Sequence, residues 1–140
     1  VTEIGYAAFY YCTSLTSVTI PDSVTTIGEE AFYDCDSLTS VNIPDSVTDI
    51  GESAFYSCAS LTSVTIGNSV TKIGDWAFRY CYSLTSVYCK ATTPPSLGYS
   101  NVFDNNGSGR KIYVPSGSVN AYKSAAYWSK YASAIVGYDF

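Results

Sequence analysis

The stretch VTTIGEEAFYDCDSLTSVNIPDS, residues 24–46, decides the fold because most of it recurs at a fixed interval. The next 23 residues, VTDIGESAFYSCASLTSVTIGNS at 47–69, repeat its Ile-Gly, Ala-Phe, Cys and Leu-Thr-Ser-Val positions. Copies with the same spacing lie on both sides, so that nearly four of them cover residues 1–89. A period of this length predicts a solenoid in which each repeat forms one coil.

Each repeat combines two local patterns. Leu15, Val18 and Ile20 end in the alternation typical of a short, half-buried strand, and the proline that follows ends it. Between Ile27 and Cys35 the apolar spacing is that of a helical or irregular turn packed through one side. A strand and a compact return in every period predict an α/β solenoid whose short strands stack in parallel, because a single coil cannot bury its own apolar face.

Composition excludes several classes of function. The chain has 140 residues, enough for one domain with a core, and no histidine, the commonest general base and a usual zinc ligand. Its net charge of −5 argues against nucleic acid as a partner. That charge is uneven: residues 1–89 carry ten acids and two bases, whereas residues 90–140 carry two acids and five bases. No apolar stretch is long enough to span a membrane, and we expect no catalytic residues and no cofactor.

The repeat Ile-Gly-x-x-Ala-Phe-x-x-Cys-x-Ser-Leu-Thr-Ser-Val-x-Ile-Pro resembles the BspA-like class of bacterial leucine-rich repeat surface proteins. The segments at 93–95 and 112–123 are similar to the C-terminal ending of such proteins in Bacteroides-like bacteria. The resemblance implies a right-handed coil with the strands on its concave face. It also implies export, display at the cell surface, anchoring of the full-length parent as an outer-membrane lipoprotein, and adhesion to host or bacterial macromolecules.

The repeat decays after residue 89 without disappearing. Leu97-Gly98 replaces Ile-Gly, Val102-Phe103 replaces Ala-Phe, and the strand at 112–115 comes 25 residues after Val87. We therefore expect a solenoid over 1–115, with a loosened fifth coil at 90–115, and a helical C-terminal cap over 116–140.

Within the cap we expect Ser118 to N-cap a helix that runs to about Ser124 and presents Val119, Tyr122 and Ala126. At the other end Val1 begins mid-repeat, which predicts an open first coil. Upstream repeats or another molecule, including a second copy of the chain, would cover that coil.

The outward positions of the predicted strands form the first candidate site. Leucine-rich repeats usually bind partners there, although a polar face of this kind can also simply be solvated. Aromatic side chains dominate interface hot spots, so Tyr88 and Tyr113 are its expected anchors. The candidate ligand-binding residues are Ser17, Thr19, Ser40, Asn42, Ser63, Thr65, Ser86, Tyr88 and Tyr113.

The returning side of the coils offers an alternative site, an outer ridge of aromatic residues suited to protein or sugar contacts. Alternatively, each ring packs along its neighbour and seals the junction between coils. The ridge residues are Tyr10, Tyr33, Tyr56, Trp76, Tyr80 and Tyr82.

The cysteines form a third pattern, since Cys12, Cys35, Cys58 and Cys81 are spaced 23 apart and Cys89 is left over. A column along the solenoid axis does not converge on one point as zinc ligands do. We expect buried free thiols and no metal site.

Three functions remain open. The sequence favours a non-enzymatic surface module that binds a protein or glycan ligand on a host or bacterial surface. A structural stalk or spacer is the first alternative, and an oligosaccharide-binding module that uses exposed tyrosines is the second.

Overall fold

The computed structural model describes all 140 residues and shows a solenoid with two five-stranded parallel sheets. None of its helices combines the length and the apolarity that a bilayer span requires. The strands of the first sheet have two residues each and are β1 (Glu3–Ile4), β2 (Thr26–Ile27), β4 (Asp49–Ile50), β6 (Lys72–Ile73) and β8 (Ser96–Leu97). The strands of the second sheet are β3 (Ser40–Ile43), β5 (Ser63–Ile66), β7 (Ser86–Cys89), β9 (Lys111–Pro115) and β10 (Ile135–Tyr138).

The repeat spacing sets the register of the second sheet. Val41 pairs with Val64 and Val64 with Val87, so each strand lies one period from the next. Inward side chains are buried, while the residues between them point outward and are exposed or half-buried. The predicted parallel stacking of short strands is confirmed.

The return segment is an irregular turn and not a helix. In the second coil the N–H groups of Glu30, Phe32 and Asp34 donate to carbonyls of the next coil at 2.7–2.9 Å. The N–H groups between them, those of Ala31 and Tyr33, donate to carbonyls three residues earlier in the same coil. Glu30 and Asp34 adopt positive φ angles of 56°. This alternation satisfies the backbone of a tight return while it ties each coil to its neighbour.

The conserved spacing of phenylalanine within the chain produces a column of stacked rings. Consecutive ring centroids lie 5.0–5.5 Å apart and adjacent rings are inclined by only 3–7°. Offset stacking at this separation is favourable beyond the area that it buries. The column runs through the core of the solenoid and consists of Phe9, Phe32, Phe55, Phe78 and Phe103.

The first coil departs from the sequence expectation, because residues 15–20 form no strand and the second sheet starts at β3. Leu15 and Val18 remain half-buried, and Phe9 is 37% exposed whereas Phe32 is fully buried. Residues 15–20 have a neighbouring coil on one side only, so burial and pairing stabilise them less than the inner strands. Ile4, Phe9 and Val18 line an apolar hollow of about 280 Å³ at this end. Self-association there stays a prediction.

The degenerate repeat keeps the register of the coils. Leu97 pairs with Ile73, and Phe103 extends the ring column. Val87 pairs with Ile112, so the longer interval of 25 residues is accommodated in the loop between β7 and β9.

The C-terminal segment contains a 3₁₀ helix at Ser116–Ser118, helix α1 at Val119–Ser124, a second 3₁₀ helix at Trp128–Ala134, and β10. The predicted helix is therefore present, but its predicted N-cap is wrong. The Ser118 hydroxyl donates to the Thr92 carbonyl 2.7 Å away and makes no cap bond. Ala126 is also wrong as a packing residue, because α1 ends before it and leaves it exposed.

Candidate functional site

The outward side of β3, β5, β7 and β9, together with the matching part of the first coil, is called the strand face below. Its residues form two columns in register. The first column joins Ser40, Ser63 and Ser86, and the second joins Asn42, Thr65, Tyr88 and Tyr113. The sequence placed these residues side by side correctly. Ser17 and Thr19 are exposed in the first coil but belong to no strand.

Aromatic rings cluster at the C-terminal end of the strand face. Tyr88 and Tyr113 stack with their centroids 4.8 Å apart and their planes 14° apart. Tyr138 meets both rings edge-on, at 5.4 and 5.7 Å. Phe140 contacts Tyr138 at 4.9 Å. These four residues are called the aromatic cluster below.

Sequence reasoning missed half of this cluster. Tyr138 reaches the strand face because β10 pairs in parallel with β9 and extends the sheet beyond the repeats. The run Ile135-Val136-Gly137-Tyr138 is a short apolar segment, which is one signal of a strand. It lies outside the 23-residue pattern, so the repeat gave no register for it.

A groove begins where the column of tyrosines stops. Its volume is about 370 Å³, and Tyr88, Tyr138 and Phe140 line one part of it. Asn42 and Thr65 follow Tyr88 in the same column, and their short side chains leave the space open. A flat, polar face thus acquires one concave place with aromatic walls.

The charges on the strand face are positive. The outward residues of β3, β5, β7, β9 and β10 include no carboxylate, and Lys111 lies opposite Ser86. Lys90 lines the groove just beyond β7. Neither lysine forms a salt bridge, since the only salt bridge in the structure joins Lys130 to Asp104.

The outer ridge forms a continuous row of rings. Tyr10, Tyr33 and Tyr56 stack at 4.9 and 4.8 Å, and Tyr80 meets Tyr56 edge-on at 5.4 Å. The Arg79 guanidinium lies over the Tyr80 ring, 4.7 Å from its centroid. Burial is the main reason why the pKa values of Tyr33 and Tyr56 are raised. These rings therefore pack on one another and seal the junctions between coils.

The margins of the outer ridge are open to solvent. Trp76 packs beside Tyr56 and Tyr82 beside Tyr80, and both are exposed. The ridge consequently offers ring edges to a partner, whereas most ring faces are covered by the next coil.

The cysteines are free thiols, and only Cys12 is more than slightly exposed. The thiols of Cys35, Cys58 and Cys81 each donate to a phenylalanine carbonyl of the preceding coil at 3.2 Å. Burial raises the pKa of Cys35 to about 12 and that of Cys89 to about 11. No group of three or more His, Cys, Asp or Glu side chains is arranged to hold a metal ion.

Comparison with known proteins gives one family and several related structures. The model of the BspA type leucine rich repeat region matches residues 2–133 with six copies. A leucine-rich repeat protein from Bacteroides ovatus ATCC 8483 is 34% identical, with a TM-score of 0.67 over 81% of this chain and 28% of that one. No curated protein sequence matches the chain significantly.

Two further structures share the fold. The T. pallidum leucine rich repeat protein is 29% identical, with a TM-score of 0.56 over 81% of this chain and 66% of that one. A leucine rich cell surface protein from Faecalibacterium prausnitzii A2-165 is 26% identical, with a TM-score of 0.54 over 81% of this chain and 35% of that one. The chain thus spans less than two thirds of each of these proteins. Because the family model covers nearly the whole sequence, the chain belongs to the BspA-type leucine-rich repeat family.

Proposed function

We propose that the chain is a non-enzymatic recognition module that binds a host or bacterial macromolecule through its strand face. The observation that carries this proposal is the stack of Tyr88 and Tyr113, which Tyr138 joins on the same face. Tyrosine is enriched among interface hot spots because it offers a large, rigid contact area and a polar hydroxyl.

The proposed place of action is the outside of the cell. The similar Faecalibacterium prausnitzii protein is described as a cell surface protein, and the repeat family is that of bacterial surface leucine-rich repeat proteins. Secretion, and attachment of the full-length parent to the outer membrane as a lipoprotein, belong to this proposal. The absence of histidine and the free, buried thiols support a binding role over catalysis.

The test is a binding panel of purified host matrix proteins and an array of defined glycans. The strand-face variant carries Tyr88→Ala and Tyr113→Ala, and the matched control carries Tyr33→Ala and Tyr56→Ala on the outer ridge. Both variants remove two stacked tyrosines, so their thermal unfolding shows whether a loss of binding reflects a loss of folding.

We expect the strand-face variant to lose at least about tenfold in affinity for whichever panel member binds the parent chain, since hot-spot truncations cost about 2 kcal/mol or more. The ridge variant should bind normally. If only the ridge variant loses binding, the site lies on the outer ridge and the proposal is wrong. If the parent chain binds nothing on either panel, a stalk or spacer role replaces recognition.

A further inference from the structure

The groove beside Tyr88 has the shape of a site for one flat ring. One face of the Tyr88 ring is covered by Tyr113, so the opposite face is turned along the column toward Thr65 and borders the groove. Tyr138 and Phe140 form a second aromatic wall and are 44% and 51% exposed. A ligand in the groove therefore meets aromatic surface on one side.

Polar groups complete the lining. The Thr65 hydroxyl and the Asn42 amide lie on the side away from Tyr88, and the Asn42 side chain is exposed. Neither side chain is engaged in a hydrogen bond within the protein. A pyranose matches this division, because it has an apolar C–H face for stacking and a rim of hydroxyls for hydrogen bonds.

The charges select among sugars. Lys90 lines the groove and makes no salt bridge, and Lys111 is the second cation on the strand face. The carboxylates of Asp22 and Asp45 lie with Lys90 around a neighbouring hollow, outside the groove itself. An anionic ligand in the groove gains an ammonium partner and meets no carboxylate among the outward strand residues.

The backbone argues against an extended peptide as the occupant. A peptide strand binds by adding to a free sheet edge, where main-chain hydrogen bonds supply most of the affinity. Both strands beneath the groove, β5 and β7, are already paired on their two sides. The groove offers side chains and no unpaired backbone edge.

We propose that this groove binds an acidic pyranose, a sugar that carries a carboxylate, within a glycan. The sugar ring would stack on Tyr88, its carboxylate would pair with Lys90, and its hydroxyls would bond Thr65 and Asn42. This inference rests on the proposed function, because it names the ligand class of the strand face.

The experiment titrates the ¹⁵N-labelled chain with two acidic probes, trigalacturonic acid and 3′-sialyllactose, and with the methyl ester of each. Esterification removes the charge while it keeps the sugar skeleton. The variants are Lys90→Met, which keeps the length of the stem, and Lys72→Met, a control lysine exposed on the other sheet. Chemical shifts report both the affinity and the place of binding.

We expect at least one acidic probe to bind about tenfold or more tightly than its ester, since loss of a charge-assisted bond costs about 1.5–3 kcal/mol. Shifts should centre on Thr65, Tyr88 and Lys90. Lys90→Met should bring the acid down to the affinity of the ester, whereas Lys72→Met should change nothing. Equal binding of acid and ester, no effect of Lys90→Met, or no binding by either acid up to about 10 mM would each overturn the inference.

The two proposals fail differently. If no acidic sugar binds but the strand-face variant still loses a macromolecular ligand, the inference about sugars is wrong and the proposed function stands. If neither the sugars nor the macromolecules respond to Tyr88→Ala, both proposals are wrong.

Discussion

At the scale of single residues, the close approach of consecutive coils explains the glycine that follows each inward isoleucine. A Cβ atom added at Gly51 would lie 2.5 Å from the backbone nitrogen of Glu29 and 2.6 Å from the carbonyl carbon of Gly28. Since both contacts are to backbone, no side chain can move aside. We expect Gly51→Ala to lower the free energy of unfolding by about 1–3 kcal/mol, the usual cost of overpacking, as measured by urea denaturation.

Gly5 provides the matched control, because it occupies the same repeat position in the first coil and an added Cβ would meet nothing within 4 Å. Gly5→Ala should change the free energy of unfolding by no more than about 0.5 kcal/mol. Equal destabilisation by the two substitutions would show that the coils do not approach as closely as described.

The thiols make a second prediction at this scale. Iodoacetamide attacks the thiolate, and burial both blocks access and raises the pKa of Cys35 to about 12 and that of Cys89 to about 11. We expect mass spectrometry of the folded chain at pH 8 to find one alkylated cysteine, Cys12, and all five after denaturation. Cys12→Ser should leave the folded chain unlabelled, and labelling of Cys58 at the rate of Cys12 would contradict the buried column.

At the scale of elements, Trp128 holds the C-terminal segment against the last coil. It is fully buried, its indole N–H donates to the Pro95 carbonyl at 2.7 Å, and its ring contacts both Phe103 and Tyr122. Trp128→Ala should therefore cost about 3–5 kcal/mol of unfolding free energy in urea denaturation. The exposed Tyr99 is the control, and a loss as large for Tyr99→Ala would separate stability from burial.

A pH-dependent contact joins the same segment to the last coil. Asp104 lies 2.8 Å from the Lys130 ammonium and 2.7 Å from the Tyr131 hydroxyl. Partial burial raises the pKa of Asp104, but the hydrogen bonds from Lys130 and Tyr131 outweigh burial, so that its pKa is lowered in the folded state. The contact thus stabilises the fold above the usual aspartate pKa of 3.8, and this stabilisation is lost as the pH falls through the lower folded-state value.

The measurement is urea denaturation of the parent chain and Asp104→Asn from about pH 6 to about pH 2. The difference in unfolding free energy between them should be largest above about pH 5 and should shrink toward acid pH. A difference that stayed constant with pH would show that the Asp104 carboxylate makes no charge-dependent contribution.

How far the sequence predicts an element depends on whether the element lies inside the repeat. The inner strands and their register follow from the spacing of Val41, Val64 and Val87, because identical positions must stack. Residues 15–20 carry the same pattern without forming a strand, since pairing depends on neighbours that the local pattern does not describe. The C-terminal strand β10 could not be placed, because no repeat position relates it to β9.

At the scale of the whole molecule, the sheets turn a repeated sequence into two long surfaces with different properties. The outer ridge uses its rings mainly to join coils, while the strand face carries small polar side chains and ends in the aromatic cluster. Sequence reasoning found Tyr88 and Tyr113, whose positions follow from the repeat. It missed Tyr138 and Phe140, which only the non-repeating end brings to the groove.

The central claim is that the end of the chain completes this cluster on the strand face. A nuclear Overhauser spectrum of the chain with labelled tyrosine rings tests it directly, since cross-peaks arise between protons about 5 Å apart or less, the contact distance of stacked rings. We predict cross-peaks between Tyr88 and Tyr113 and from Tyr138 to both, because the centroids lie 4.8–5.7 Å apart. Cross-peaks between Tyr88 and Tyr113 without any to Tyr138 would contradict the claim and remove one wall of the groove.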